Sequence, residues 1–302
     1  MKQTFLVTGG AGFIGTNLVH FLVEKGHRVT VVDDLTAGKR ERLPDAIDFH
    51  KLDIRDTVAL GHVCEGVDVI IHLAALPRLQ FSIDHPQLAH DVNITGTLSV
   101  LEAARSAGVK RVVYAASSSA YGDQEILPLT TDLPPQPKTP YALQKYVGEA
   151  YMKLWSELFG LKTVSLRFFN VYGPHLDPDG AYALVIGRFL KLASEGQPLT
   201  VAGDGEQTRD FTHVRDVVSA LYQASMSDHV GRGEVFNVGA GVQTTINELT
   251  KLIGGEVTYV PARIEAKHSL ADIEVTKKVL NWEPKVSLEE GIAELKAEFG
   301  LL

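Results

Sequence analysis

The sequence predicts an α/β fold: a doubly wound parallel sheet covered by helices on both faces, joined to a smaller mixed α/β lobe. Three observations carry this expectation. Short β-branched runs alternate with longer amphipathic stretches through the first half, the order expected of βαβ units around a parallel sheet. The first run empties into LVTGGAGFIG (6–15), a glycine turn placed between a strand and a helix. After about residue 170 the alternation gives way to Gly and Pro punctuation, and the strand-like EVFNVG (234–239) suggests a late return to the sheet.

In chain order, strands are expected at 4–9, 28–33, 46–52, 67–74, 110–117 and 162–169, each a β-branched or aromatic run bounded by turn residues. Helices are expected between them at 13–25, 57–65, 86–107 and 140–160, where apolar residues recur with helical spacing. Later helices are expected at 181–195, 214–227, 244–253 and 287–299. The expected organisation is a nucleotide-binding domain over 1–169, rejoined by about 211–239, with 170–210 and 240–302 forming an interleaved second lobe. A cleft between the two lobes is the expected place for a small ligand.

With 302 residues, 45% of them hydrophobic, the chain can bury a sizeable core in one or two domains. Its formal charge of −8 argues against a nucleic-acid or anionic-membrane surface, which needs clustered Lys and Arg. The single cysteine, Cys64, excludes an intrachain disulfide and suits a reducing compartment. The opening MKQTFLVTGGAGFIG interrupts its apolar residues with glycines, unlike a leader peptide, and no apolar run reaches the roughly 18 residues of a membrane span. A soluble, cytoplasmic chain is expected. Its 11 histidines show no HExxH or Cys/His spacing, which leaves no zinc-hydrolase reading.

Gly9, Gly12 and Gly15 give GxxGxxG, and Gly10, Gly12 and Gly15 also satisfy GxGxxG. Both patterns allow a tight turn, close approach of backbone N–H groups to a pyrophosphate and a helix N-terminus facing its charge. Asp33 closes the second strand, where an acid can hold an adenosine ribose. That carboxylate, followed by Asp34, would repel a 2′-phosphate and favours NAD over NADP, although Lys39, Arg40 and Arg42 lie close enough in sequence to offset the repulsion. LDIRD (52–56) resembles an adenine-contacting turn through Asp53 and Ile54; as a bare sequence it reads equally as a polar loop.

TPYALQKYVGEAY (139–151) opens a helix with Tyr141 and places Lys145 four residues on, one above the other on the same face. Thr139 and Pro140 suit the N-cap and first helical positions. A phenol with a pKa near 10 is a poor base, and a neighbouring ammonium is expected to favour the phenolate. Such a pair alone is common packing on amphipathic helices. The preceding strand, however, ends in AASSSAYG (115–122), three hydroxyls at the carboxyl end, where ligands of parallel sheets bind.

Read together and in order, TGGAGFIG, HLAA (72–75), SSSAYGD (117–123), YALQK (141–145), RFFNVYGP (167–174) and GDGEQTRDFTHVRD (203–216) resemble the extended short-chain dehydrogenase/reductase superfamily. Within it they are similar to the NAD-dependent nucleotide-sugar epimerases, over residues 4 to about 299. The resemblance implies a Rossmann-like sheet with NAD lined by Gly9, Gly12, Phe13, Ile14, Gly15, Asp33, Asp53, Ile54, Leu73, Ala74, Ala75 and Asn93. It implies Tyr141 as base, Lys145 as its partner and nicotinamide-ribose contact, and Ser117, four residues before Tyr121, as the hydroxyl bridging substrate and base. Ser118 and Ser119 are the weaker choices for that hydroxyl, and Ser118 is kept as a substrate contact. Asn170 and Arg209 match positions that hold a UDP-sugar, and the planar fork of an arginine suits a diphosphate. Arg263 is a further phosphate candidate, although PARIEAKHS (261–269) lacks the usual Gly-Asp after the arginine. Pro77 and Arg78 likewise stand where relatives vary, sometimes with a cofactor-contacting lysine.

The superfamily's 4,6-dehydratases carry an Asp-Glu pair after the hydroxyl residue, and its decarboxylating members a glutamate beside it; Ser118 and Ser119 stand there instead. Chemistry that stops at a 4-keto sugar and reverses, a 4-epimerisation of a UDP-hexose, is the expectation. Ser269 in KHSLADI (267–273) leaves room for an acetamido group where glucose/galactose-restricted members have a bulky residue, which extends the expectation to UDP-GlcNAc and UDP-GalNAc. The other readings are a UDP-glucuronate 4-epimerase, with His175 or Arg188 as the cation facing C6, and a non-catalytic dinucleotide sensor, which would typically lack the Tyr-Lys pair. Apolar stripes including Val100, Leu101, Tyr146, Met152 and Trp155 on the helices at 86–107 and 140–160 suggest, by the same resemblance, a homodimer joined by a four-helix bundle.

Overall fold

The computed structural model describes residues 2–77, 79–177, 185–262 and 267–301. Six strands run through the first half: β1 (Thr4–Thr8), β2 (Arg28–Asp33), β3 (Asp48–Lys51), β4 (Val69–His72), β5 (Arg111–Ser117) and β6 (Lys162–Phe168). Four short ones follow, β7 (Val171–Tyr172), β8 (Leu199–Ala202), β9 (Thr208–Arg209) and β10 (Thr212–His213), then β11 (Glu234–Val238), β12 (Thr244–Thr245) and β13 (Val257–Val260). The main sheet has the order β11-β6-β5-β4-β1-β2-β3, and every neighbouring pair is parallel. The chain first winds from β1 outward to β3, then restarts at β4 on the other side of β1. That reversal opens a crevice beyond the carboxyl ends of β1 and β4.

Side-chain alternation divides the sheet between two cores. Phe5, Val7, Val31, Ile71 and Val113 face α1 (Phe13–Glu24) and α8 (Val214–Met226), meeting Leu18, Leu22, Val217 and Leu221. Leu6, Val32, Ile70, Val112 and Tyr114 face the opposite way, onto α2 (Thr57–Val63), α5 (Gly96–Ser106) and α6 (Pro140–Phe159), with Leu60, Leu101, Met152 and Trp155. β11 completes the sheet after the excursion beyond β6, in register from Glu234 opposite Val164 to Val238 opposite Phe168.

A separate cluster joins α7 (Val185–Ser194), α9 (Ile246–Ile253) and α11 (Leu288–Glu298) through Phe189, Leu190, Leu249, Ile253, Ile292 and Leu295. Into it fold Leu199 and Val201 of β8, which pairs in parallel with β13. This pairing was not anticipated, because four-residue runs exposed on one side carry little periodicity. The helix expected at 244–253 begins two residues late: Thr244 and Thr245 form β12, and Thr245 makes a reciprocal capping box with Glu248. α11 starts after the same device, Ser287 with Glu290. Of the helix expected at 181–195, residues 181–184 lie outside the described residues.

The helix expected at 86–107 is α4 (Pro86–His90), a single π turn (Asp91–Thr95) and α5. Two short helices, α3 (Leu79–Asp84) and α10 (Glu274–Leu280), were missed. The apolar stripes need redistributing. Val100, Leu101, Met152 and Trp155 belong to the intrachain core, leaving Tyr146 of that group exposed. The exposed apolar face of α6 is Leu143, Tyr146, Leu154 and Leu158, spaced to lie on one stripe, beside Leu79 and Ile83 of α3.

Two consequences are measurable. A Cβ on Gly148 of α6 would lie 2.5 Å from Cζ of the buried Tyr114 on β5. Gly148→Ala should therefore overpack this contact and cost about 1–3 kcal/mol in denaturant unfolding, outweighing the gain in helix propensity. Unchanged stability would show that the helix has room to move. His72, fully buried between the hydroxyls of Thr8 (2.7 Å) and Thr97 (3.0 Å), has its pKa pushed by burial to about 3, from 6.5. Between those values the unfolded chain binds a proton that the native chain refuses, so this stability is complete above the unfolded pKa and lost as pH falls below it. The advantage of wild type over His72→Gln should shrink by about 2 kcal/mol between pH 7 and 5. A constant difference would contradict a neutral, buried imidazole.

Candidate active site

The crevice is built from the glycine turn upward. Gly9 leaves β1 with φ of 70° and donates its N–H to the Val32 carbonyl at 2.8 Å. A Cβ there would sit 2.7 Å from the Ala74 nitrogen, so only glycine lets the turn lie against the Leu73–Ala75 segment that follows β4. Gly15 packs equally closely, with a Cβ 2.6 Å from the Gly10 Cα. Gly12 is the N-cap of α1 and no side chain caps the helix, so Phe13, Ile14 and Gly15 open it toward the crevice with their amides unclaimed by any side chain. That is a cradle for a pyrophosphate.

At the end of β2 the buried Asp33 carboxylate accepts from the Ala11 N–H (3.0 Å) and the Leu35 N–H (2.9 Å), with burial raising its pKa. Each oxygen keeps capacity to accept from a ribose hydroxyl. The three nearby cations are occupied elsewhere. Lys39 pairs with Asp177 at 3.2 Å, Arg40 lies over Phe49 and donates to the 43–45 carbonyls, and Arg42 donates to the His175 carbonyl at 2.7 Å. The site therefore fits a ribose with a free 2′-hydroxyl better than a 2′-phosphate. Asp53 is chelated by Arg55 (3.0 Å), and the Ile54 side chain is buried against Gly96, leaving backbone as what this turn can offer a ligand.

Asn93 is placed beside the crevice, in the π turn, with both amide protons and one acceptor position of its oxygen committed. It accepts from the Leu76 N–H (2.7 Å) and donates to the Leu76 carbonyl (3.1 Å) and to Gln144 (2.7 Å). It braces the 74–76 loop against the residue preceding Lys145.

α6 begins as its sequence suggests, with Pro140 in the first turn and the Thr139 hydroxyl accepting from the Ala142 N–H at 3.2 Å. A missed residue completes the cap: Ser82 of α3 accepts from the Tyr141 N–H at 3.0 Å and donates to the Leu79 carbonyl. Its signal in the sequence was nil, since it lies in an unpredicted helix. Lys145 Nζ donates to the Ala115 carbonyl at 2.8 Å, 4.9 Å from the Tyr114 ring and 6.0 Å from the Tyr141 ring. One turn on, Glu149 is held by a bidentate bond from the buried Arg167 (2.9 and 2.7 Å), which lies over the Tyr121 ring.

The acidity of the pair departs from the expectation. Burial raises the Tyr141 phenol to about 12, opposed by its hydrogen bond with Ser117, and lowers Lys145 to about 7, opposed by Glu149. Desolvation wins because the ammonium spends its bond on a carbonyl rather than on the phenol. Tyr141 is thus a protonated phenol in the free protein, and a positive charge brought in by a ligand has more to change than the sequence implied.

On the other lip, Asn170 (φ 30°) donates to the Asp210 carbonyl at 2.9 Å. Ser269 donates its N–H to the Thr208 carbonyl at 3.2 Å, beside Arg209, whose guanidinium reaches the Thr208 (2.8 Å) and Lys267 (3.3 Å) carbonyls. These three converge on β9 and β10. The Asp210 carboxylate, in the sequence a candidate surface ion-pair partner for Arg209, is buried and pins that region by accepting from the N–H groups of Ala240, Gly241 and Ala271 (2.7–3.0 Å). Ser118 is half-buried in the turn after β5. Arg263 and Arg78 lie outside the described residues. His175 does not serve as a sugar-facing cation: its ring lies beside His20 on α1, and burial together with Arg42 lowers its pKa.

The chain is similar to known proteins along nearly its whole length. The NAD dependent epimerase/dehydratase family matches residues 5–239. A UDP-glucose 4-epimerase of Mycolicibacterium smegmatis is 40% identical over 302 aligned residues, covering 95% of this chain and 96% of that one. The crystal structure of a UDP-glucose 4-epimerase from Thermotoga maritima with UDP-glucose superposes with a TM-score of 0.93 at 37% identity, covering 98% of each chain. That of a Thermus thermophilus UDP-glucose 4-epimerase in complex with NAD gives 0.90 at 34%, covering 98% of this chain and 99% of that one. A family match across most of the chain, with near-complete overlap with these relatives, makes this protein a member of the NAD dependent epimerase/dehydratase family.

Proposed function

We propose that the chain interconverts 4-epimers of a UDP-hexose, UDP-glucose with UDP-galactose and the corresponding N-acetylated pair, through a transient 4-keto sugar. The observation that carries this reading is the convergence of Ser117, Tyr141 and Lys145 at the end of β5, across the crevice from the glycine turn. NAD, when bound, supplies the acceptor and later the donor of the C4 hydride, with a positively charged ring in the oxidised form. Tyr141, through or beside Ser117, takes the proton of the 4-hydroxyl as the C4–H bond breaks and the C4 carbonyl forms. It holds that proton while the sugar turns in the cleft, then returns it as hydride adds to the opposite face. Proton and hydride are both restored, so the net change is one inverted centre. Ser118 and Ser119 add no acid that would carry the keto sugar on to elimination.

Arg209 and Asn170 serve the diphosphate and sugar, with Arg263 as a second phosphate ligand, and the small Ser269 leaves room at the sugar. In this reading residues 1–169 and about 211–239 form the NAD-binding body, and 170–210 with 240–302 the sugar-nucleotide lobe. The exposed stripe of Leu143, Tyr146, Leu154 and Leu158 supports a homodimer in which α5 and α6 of two copies form a four-helix bundle. No helix among the described residues is long and apolar enough to cross a membrane. With one buried, unpaired cysteine and a net charge of −8, a cytoplasmic enzyme without a nucleic-acid partner is the reading.

Purified protein given UDP-glucose, UDP-GlcNAc or UDP-glucuronate, with no added cofactor, should form the 4-epimer of the first two by NMR. Tyr141→Phe should lower the rate about 10²–10⁴-fold while retaining NAD. Turnover of UDP-glucuronate alone would reassign the sugar, and no epimer from any substrate even with added NAD would overturn the proposal.

A further inference from the structure

The turn after β5 holds a feature that the reaction described above does not use. The Ser117 Oγ, at the N-cap of this 3₁₀ turn (Ser118–Tyr121), accepts from the Ser119 N–H at 3.2 Å and is hydrogen-bonded to the Ser119 hydroxyl at 2.9 Å. α6 packs on β5 and on this turn, and Ser117 is the hydroxyl that opposes the upward shift that burial gives the Tyr141 phenol. An sp³ hydroxyl has two acceptor positions and one donor position. The Ser119 amide can only donate, so it fixes one acceptor position. Whichever way the proton between the two serine hydroxyls points decides what Ser117 offers Tyr141. If Ser119 donates, both acceptor positions of Ser117 are filled, its proton is left for the tyrosine oxygen, and the 4-hydroxyl proton passes beside Ser117 rather than through it. If Ser117 donates to Ser119, the tyrosine oxygen faces a lone pair.

We infer that Ser119 is a positioning residue that fills the second acceptor position of Ser117 and so directs the Ser117 proton onto the Tyr141 oxygen, stabilising the phenolate. The inference rests on the proposed role of Tyr141 as base. A hydrogen bond to an ionised acceptor is markedly stronger than one to its neutral form, so the arrangement favours the phenolate selectively. The other titratable groups around Tyr141 are Lys145 and Glu149 on its own helix, Tyr114 on β5 and, behind Lys145, His72 on β4. None of them appears in the hydrogen bonds that join Ser119 to Ser117. Ser119→Ala keeps the backbone N–H bond and removes only the hydroxyl, while Ser119→Thr keeps the hydroxyl.

The test is a titration of the NAD-loaded protein carrying ¹³Cζ-labelled tyrosine, with the Tyr141 resonance assigned by its loss in Tyr141→Phe, alongside the pH profile of kcat for UDP-glucose. In Ser119→Ala the Tyr141 midpoint and the acidic limb of kcat should rise together by about one unit, a roughly tenfold loss of rate at pH 7 that recovers at higher pH. Ser119→Thr should restore both. A Tyr141 midpoint unchanged in Ser119→Ala, or a rate loss independent of pH, would overturn the inference. Should wild type epimerise no UDP-sugar while its Tyr141 midpoint still moves in Ser119→Ala, the UDP-sugar reading fails and the role of Ser119 stands.

Discussion

The buried ammonium of Lys145, bonded to the Ala115 carbonyl at the end of β5, is the contact on which the site depends. An amine so placed must find its partners within the protein, and it ties α6 to β5 directly and to β6 through Glu149 and Arg167. It draws α6 against β5, where Gly148 removes the side chain that would collide with Tyr114. It places a carboxylate one turn away in Glu149, and that acid is clamped by Arg167 of β6. Tyr141, one turn before the lysine, is then carried to the hydroxyls that close β5. Its own amide is satisfied by Ser82, and Asn93 ties the loop after β4 to Gln144 of the same helix. The face of α6 that carries Tyr141 and Lys145 is thus fixed by backbone bonds on one side and a buried ion pair on the other.

This rigidity explains why the acidity of the pair runs opposite to a simple reading of two neighbouring groups. Bringing a phenol and an amine out of water disfavours the charged form of each, and the lysine spends its bond on a carbonyl. A protonated tyrosine beside a readily neutralised lysine is poorly suited to remove protons from stray ligands. The base role proposed for Tyr141 therefore requires a neighbouring positive charge and a hydrogen bond aimed at its oxygen. An enzyme that must hold a keto sugar without letting it react with water gains from such a resting state.

Much of this was legible in the chain. The glycine turn, Asp33, the cap at Thr139 and Pro140, and the four-residue spacing of Tyr141 and Lys145 are local features, set by backbone geometry and helical period. The late strand at Glu234–Val238 was legible too, because a β-branched run bounded by glycines reads the same wherever it falls. What escaped is long-range. Ser82 caps a helix some sixty residues away, Asp210 gathers amides from two later segments, and β8 finds β13 across more than fifty residues. The division of Val100, Leu101, Met152 and Trp155 from the exposed Leu143 and Leu154 likewise depends on how the helix rotates against the sheet, which apolar content alone does not specify.

In the proposed reaction one hydrogen leaves C4 as hydride and returns to the same carbon without meeting water. UDP-glucose carrying deuterium at C4, incubated with the protein in ordinary water, tests it most directly. Deuterium retained at C4 of the UDP-galactose formed is the predicted result. Its replacement by solvent hydrogen would contradict the claim and point instead to removal of the C4 hydrogen as a proton.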